Sequence, residues 1–436
     1  MSMDKLSSVN IQTEASLITS VPEWFGEVAL IAHTLTRLGL LAAISERVRF
    51  ARKRFGTFEV SDFVVMLMGY AISGEPTLKA YYERLHPFAT EFMALFGRRR
   101  LPHRATLSRF LAALDAPTVE ALRSVFLQDA LARLGPGIDV GGLWDRQGTR
   151  WLVFDLDGTR QAARQRALPQ GPDLPPPQRR LSAVCAPGYT GRKRGEVVRT
   201  RTTLLQAHTH QWLFTCGAAG NGDYRGELLQ GLSVIIAYQT ALGLLPSQAL
   251  VRLDGLYGNG TIVVDLIAAG VGFVMRGKDY ALLDLAQVKK RLALPADEQF
   301  THPESGTCRD LFECGEVSVT AQGHRARLIV ATHQAATSPI GVIRDGIVSE
   351  LFFTALPALG FTAADVVTLY LHRGSFETVL ADEDREQDSD RWSSYTTHGQ
   401  EVWQILSQWM WNLRQELSLQ WQPTSMRLTE FSPPSN

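Results

Sequence analysis

At 436 residues, with 45% hydrophobic and 20% charged residues, the chain carries enough apolar material for a large core and for two or three domains. Forty-four basic residues balance forty-four acidic ones, so overall charge points to no acidic partner and leaves that task to local clusters. The polar opening MSMDKLSSVNIQTEASL lacks the apolar run of a signal peptide, no uninterrupted apolar stretch approaches the ~18 residues of a membrane span, and four cysteines fit a reducing compartment; the expectation is a cytoplasmic protein.

Residues 1–25 form a loose polar lead. From 26 to 145 the segments EVALIAHTLTRLGLLAAI, VSDFVVMLMGYAIS, TLKAYYERL, ATEFMALFG and TVEALRSVFLQDALARL repeat apolar residues at three- and four-residue spacing, which predicts a helical domain of five or six helices. WLVFDLDGTR reads as a strand from Trp151, and QGPDLPPPQRR as a loop because of its prolines. VRTRTTLLQAHTHQWLFTCGAA predicts two strands and a turn. GELLQGLSVIIAYQTALGL follows as a helix, QALVRLD as a strand, NGTIVVDLIAAG as a helix and GFVMRG as a strand. The runs EVSVTAQGH, RARLIVATHQ and SELFFTAL predict a β-rich insertion over 279–355. AADVVTLYLHRGSFETVLADEDRE and EVWQILSQWMWNLRQELSL then read as helices over 356–420, the second apolar enough to pack as core, before a polar tail at 421–436. The sum is an α/β mixed-sheet core (146–278 and 356–420) interrupted by a β-rich insertion and preceded by a helical domain.

Three acids draw attention. Side chains alternate along a strand, so Val153, Asp155 and Asp157 share a face, and Asp157 ends the strand beside Gly158. In VRLDGLYGNG, Asp254 likewise ends an apolar strand before a Gly. Two such carboxylates on adjacent strands repel unless a cation lies between them, and Mg²⁺ suits an all-oxygen donor set. In LYLHRGSFETVL, Tyr370, Arg373 and Glu377 are spaced i, i+3, i+7, which places them on one face of a continuous helix. Glu377 could complete the metal site and Arg373 could hold a phosphate through two parallel N–H bonds. Gly374 inside that helix marks a kink.

The segments DLDGT, LVRLDGLYG and YLHRGSFE, in that order, resemble the DDE transposases of bacterial insertion sequences. The last resembles the Y-x₂-R-x₃-E signature of cut-and-paste elements whose core carries a β-rich insertion before the Glu, and PGYTGRKRGE and LPHRATLSRFL are similar to stretches common in that group. The resemblance implies a ribonuclease-H-like core in which Asp157, Asp254 and Glu377 are catalytic and bind two Mg²⁺ ions (or Mn²⁺) about 4 Å apart. It implies double-stranded DNA as partner, both terminal inverted repeats and target, with a dimer pairing two ends. Cleavage at the element's ends and strand transfer into target DNA are the implied reactions. The family's Lys, seven residues after the Glu, is replaced here by Asp384. Asp155 remains a second candidate for the first acid.

Local charge suits such a partner. Between Arg160 and Arg201 ten Lys or Arg stand against two acids, with Arg192, Lys193 and Arg194 in a row. RVRFARKRFG and GRRRLPHR add clusters in the helical region, the second offering Arg98, Arg99, Arg100 and Arg104 ahead of a helix N-terminus. Each piece alone has a plainer reading: strand-end and turn acids, a solvated helix face, solvated basic loops. Two rival functions follow from the same residues. The apolar-DxDGT pattern also looks like the nucleophile motif of haloacid-dehalogenase-type phosphatases, with Asp155 as nucleophile and Asp157 as its acid–base partner, although the further motifs of that family have no counterpart here. A transposase-derived DNA-binding protein without catalysis is the other. His302, Cys308, Cys314 and His324 are too widely spaced for a zinc knuckle, and Trp403, Trp409 and Trp411 read as core.

Overall fold

The structure, a computed structural model, describes residues 20–50, 57–135, 139–162, 184–189, 194–303, 305–334 and 340–421. It begins with seven α-helices among the described residues: α1 (Phe25–Arg37), α2 (Leu40–Arg47), α3 (Val60–Ser73), α4 (Leu78–Leu85), α5 (Ala89–Leu95), α6 (Arg104–Ala112) and α7 (Ala116–Ala132). That exceeds the five or six expected. One reason is Gly39, whose left-handed backbone (φ 67°) splits EVALIAHTLTRLGLLAAI into α1 and α2. α3 is buried along nearly its whole length and forms the centre of this region. No single helix among the described residues is long and apolar enough to cross a membrane.

Then come β1 (Leu143–Trp144), β2 (Arg150–Ala162), β3 (Ala186–Tyr189), β4 (Arg194–Gln206) and β5 (Gln211–Ala219). α8 (Tyr224–Ala241), β6 (Ala249–Leu253), α9 (Gly260–Ala269) and β7 (Gly272–Gly277) follow. From 150 to 277 the expected strands and helices recur in order, but β2 runs on to Ala162, β4 begins already at Arg194, and β3 is a strand that was not expected. At the centre of the sheet the strands run β5–β4–β2–β6–β7, antiparallel from β5 to β2 and parallel from β2 to β7. Parallel strands need crossovers, and α8 and α9 supply them. Leu152, Phe154 and Leu156 of β2 face α8 and α9. Trp151 and Val153 face the other side, where α11 (Ala363–Leu371) covers them. Both faces of β2 are thus buried, which explains its unbroken apolar run.

The segment after β7 holds α10 (Ala286–Leu292), β8 (Glu298–Thr301), β9 (Cys308–Ser318), β10 (Arg325–Gln334), β11 (Val342–Arg344) and β12 (Ile347–Thr354). It is β-rich as expected, and it continues the main sheet: β12 pairs antiparallel with β7, and β10, β9 and β8 extend outward from it. Unpaired strand edges invite further pairing, and β7 finds its partner in this segment.

α12 (Gly374–Glu386) and α13 (Thr397–Trp421) close the described chain. Val402, Trp403, Leu406 and Trp409 of α13 are buried among the residues of α1 to α7, together with Phe376 and Val379 of α12. The Trp409 Nε1 donates to Asp129 on α7 at 2.7 Å. The apolar core of the N-terminal helices is therefore shared with the C-terminal ones, and the three tryptophans are packing residues.

Candidate active site

β2 and β6 are in parallel register, Asp155 beside Arg252 and Leu156 beside Leu253. One residue further on, Asp254 leaves the end of β6 beside Asp157, which does not end its strand as expected: β2 continues to Ala162, paired with β4 through Asp157 and Thr203. Asp254 turns the chain: its Oδ1 accepts from Leu256 N at 2.7 Å and caps a short 3₁₀ turn, Gly255–Tyr257. Asp157 Oδ1 accepts from Gly158 N at 2.8 Å.

The third acid arrives from across the sheet, by a route that differs from the expected one. YLHRGSFE is two helices. After Tyr370 the backbone bonds tighten from i→i−4 to i→i−3, with Arg373 N on Tyr370 O and Phe376 N on Arg373 O. Tyr370, Arg373 and Glu377 therefore do not line one face of a continuous helix. Tyr370 turns inward, its ring edge-on to Phe352 and beneath the Arg276 guanidinium. Arg373, at the head of α12, points at Asp157, its Nη2 2.6 Å from Oδ2. Glu377 follows one turn later; its Oε1 is 3.9 Å from Arg373 Nη1 and its side chain is 58% exposed.

Asp157, Asp254 and Glu377 thus lie within electrostatic reach of one another, with the Arg373 guanidinium beside Asp157. Burial pushes the Asp157 carboxyl up to about 6, against the pull of Arg373, and the charges of Asp254 and Glu377 raise it further. Arg373 is held protonated chiefly by Asp157, then by Asp155 and Asp254, against its burial.

Asp155 belongs to a different structure. It is fully buried, and Arg252 grips both its oxygens, Nε to Oδ1 and Nη2 to Oδ2 at 2.7 Å each. Arg252 also donates to Leu369 O at 3.2 Å and so ties β2, β6 and α11 together. Neither oxygen of Asp155 is open to a substrate, which removes the nucleophile that the phosphatase reading needs.

Carboxylate oxygens are the right chemistry for Mg²⁺ or Mn²⁺, but their present arrangement does not fit an ion. Among the described residues no three His, Cys, Asp or Glu side chains stand together closely enough to hold a metal. Arg373 takes the place beside Asp157 that a cation would need. The metal-ligand set expected at Asp157, Asp254 and Glu377 is not assembled in this arrangement.

The basic candidates divide. Arg98 is committed to α3: its Nε lies 2.6 Å from Asp62 and its Nη2 2.8 Å from Glu59, the two residues that cap that helix. A contact with DNA would have to break both pairs. Arg99, Arg100 and Arg104 are exposed, Arg104 as the first residue of α6. Arg192 and Lys193 lie outside the described residues, and Arg194 opens β4. Asp384 does not occupy a free contact position. It sits half-buried beside Asp390, Glu383, Asp388 and Arg201, and burial followed by the Asp390 charge lifts it to about 7.

Several working residues escaped the sequence. Arg252 could have been suspected, since it lies two residues before Asp254 and so on the same strand face. Tyr257 lies buried near both Asp157 and Asp254, whose charges add to burial in raising its hydroxyl. Arg201 and Glu383 form a buried pair at 3.0 Å that fixes the middle of α12 to β4, and no spacing rule announced it.

No protein-family model matches the chain, and no curated protein matches its sequence. Among solved structures, a cryo-EM structure of the piggyBac transposase synaptic complex with hairpin DNA is similar at 10% identity and a TM-score of 0.41, over 89% of this chain and 76% of that one. So loose a likeness fixes neither fold nor function.

Proposed function

We propose that this chain is a transposase of the DDE type, with a ribonuclease-H-like core that cleaves double-stranded DNA at the ends of its element and joins them to target DNA. The observation that carries the reading is that Asp157 on β2, Asp254 just past β6 and Glu377 on α12 lie within electrostatic reach of one another beside Arg373. The central strand order, three antiparallel and then two parallel, supports the same core. Arg373 carries a guanidinium able to take a phosphate in two parallel hydrogen bonds. Exposed Arg99, Arg100 and Arg104 offer backbone-phosphate contacts of the kind that give register without sequence. Mg²⁺ or Mn²⁺ would supply charge neutralisation at the reacting phosphate oxygens, and the pocket must rearrange before it can accept one. A dimer pairing two DNA ends belongs to the same proposal.

The test is cleavage of duplexes carrying the inverted repeats that flank the coding region, with Mg²⁺ or Mn²⁺ supplied. Wild type should nick or cut at the repeat ends. Asp254→Ala should lose about two to four orders of magnitude in rate while binding DNA as before. Equal cleavage by both proteins would refute the assignment. Specific binding by wild type with no cleavage would favour a transposase-derived binding protein.

A further inference from the structure

The break between α11 and α12 has an assignable cause on a strand beneath it. We propose that Arg252 is a positioning residue: held in place by Asp155, it takes a backbone carbonyl out of the helix ladder ahead of Arg373 and so sets the turn that delivers the Arg373 side chain to Asp157. Its effect on cleavage rests on the transposase reading; its effect on the turn does not.

The carbonyls around the break show the exchange. In a continuous α-helix Leu369 O accepts from the N–H of Arg373, four residues on. Here Arg373 N donates to Tyr370 O at 3.1 Å instead, and Leu369 O accepts from Arg252 Nη1 at 3.2 Å. His372 O has likewise lost the donor four residues on, since Phe376 N donates to Arg373 O at 3.0 Å. Ser375 makes up that loss: its N and its Oγ both donate to His372 O, at 3.2 and 3.0 Å. The same Oγ accepts from Arg252 Nη2 at 3.5 Å. One guanidinium therefore reaches the last turn of α11 and the first turn of α12.

A side chain inserted into the i→i−4 ladder is a known cause of a sharp helix break, as are proline and a Gly–Ser pair. No proline occurs between 363 and 386. Gly374 and Ser375 do form such a pair, and they are the local alternative to Arg252.

Neutralising Asp155 does not by itself call for this reach. Arg252 Nε and Nη2 already hold both oxygens of Asp155 at 2.7 Å each, with both residues fully buried. A lysine could supply that charge. Only a planar fork with a further N–H can hold the carboxylate and Leu369 O together.

The turn then decides direction. A tightened turn advances about 120° per residue in place of about 100°, so side chains beyond it are re-aimed. Arg373 leaves this turn with its Nη2 2.6 Å from Asp157 Oδ2. The two aspartates of β2 thus have linked parts: Asp155 orients the arginine that sets the turn, and Asp157 receives the arginine that the turn delivers. The body of α12 is held separately, by Phe376 against Trp212 and Glu383 on Arg201. Loss of Arg252 should accordingly be felt at the turn, with α12 still docked.

Crystal structures and cleavage kinetics of the full chain test this together. Arg252→Ala would strand a buried carboxylate. The double variant Asp155→Leu with Arg252→Met instead exchanges the ion pair for apolar side chains and should fold. Arg252→Lys keeps a charge for Asp155 without the fork. In both variants Arg373 N should return to Leu369 O, and the contact of Arg373 with Asp157 should be lost. On element-end duplexes with Mg²⁺ or Mn²⁺, both should cut about a hundredfold more slowly than wild type, with most of the loss in kcat and thermal melts close to wild type. Should the double variant fail to fold, Arg252→Lys carries the comparison. A break that persists in the variants, with Arg373 still on Asp157, would overturn the proposal in favour of the Gly374–Ser375 pair. A break that closes while kcat stays at the wild-type value would overturn the positioning role. Absence of cleavage by every protein, wild type included, with a break that closes in the variants, would remove the transposase reading and leave the hold of Arg252 on the turn standing.

Discussion

Two aspartates two residues apart on one strand face have opposite fates, decided by what the next strand puts opposite each. Asp155 meets Arg252 and becomes a buried structural ion pair. Asp157 lies beside Asp254 and stays near the surface of the pocket, with its carboxyl raised to about 6 from an ordinary 3.8. A raised carboxyl has a definite pH signature. The folded chain keeps this proton in a range where the unfolded chain has released it. The stability this contributes is full below 3.8 and is lost as pH rises through about 6. Asp157→Asn is neutral at every pH and does not suffer that loss. Its unfolding free energy, relative to wild type, should therefore improve between pH ~4 and pH ~7 by on the order of 2–3 kcal/mol. Denaturant melts of both proteins at matched pH check this, and a difference that does not change with pH would contradict it.

At the level of elements, the break between α11 and α12 decides what the YLHRGSFE segment can do. A straight helix would carry Tyr370 and Arg373 to the same side. The tightened turn instead buries the tyrosine against Phe352 and frees the arginine to reach β2. Gly374 begins α12 with an ordinary negative φ and open space where a side chain would go. Gly374→Ala should therefore stabilise the protein by about 0.5–1 kcal/mol, through lower entropy of the unfolded chain and better helix propensity. Chemical denaturation measures the change, and a loss of stability would mean that this turn depends on glycine in a way its backbone does not disclose.

Over the whole molecule, the N-terminal helices and the C-terminal helix α13 are one packing unit although more than half the chain separates them. Trp409 illustrates this, with its ring against Phe126 and its Nε1 on Asp129. Trp409→Ala should cost about 3–5 kcal/mol, chiefly through the large cavity it leaves, since Asp129 keeps its Arg133 partner. A fragment of residues 20–135 alone should show no cooperative thermal transition, because its apolar face for α13 is left in water. A sharp melt of that fragment by circular dichroism would show that the helices suffice by themselves. The same closure fixes the site, since α12 reaches β2 from a position that α13 and the N-terminal helices hold in place.

Most of the order of strands and helices from 150 to 277 and the β-rich character of 298–354 were legible in the sequence, because local periodicity depends on near neighbours alone. The register of β2 on β6, the pairing of Asp155 with Arg252, the engagement of Arg98 at α3 and the burial of Asp384 were not. Each joins residues tens to hundreds of positions apart, and charge compensation in a low-dielectric interior is settled only by which partner the fold brings within hydrogen-bond reach. The chain alone determined which groups could carry charge beside Asp157; only the tertiary structure decided that a guanidinium should stand next to it, because that contact depends on where α12 lands against β2.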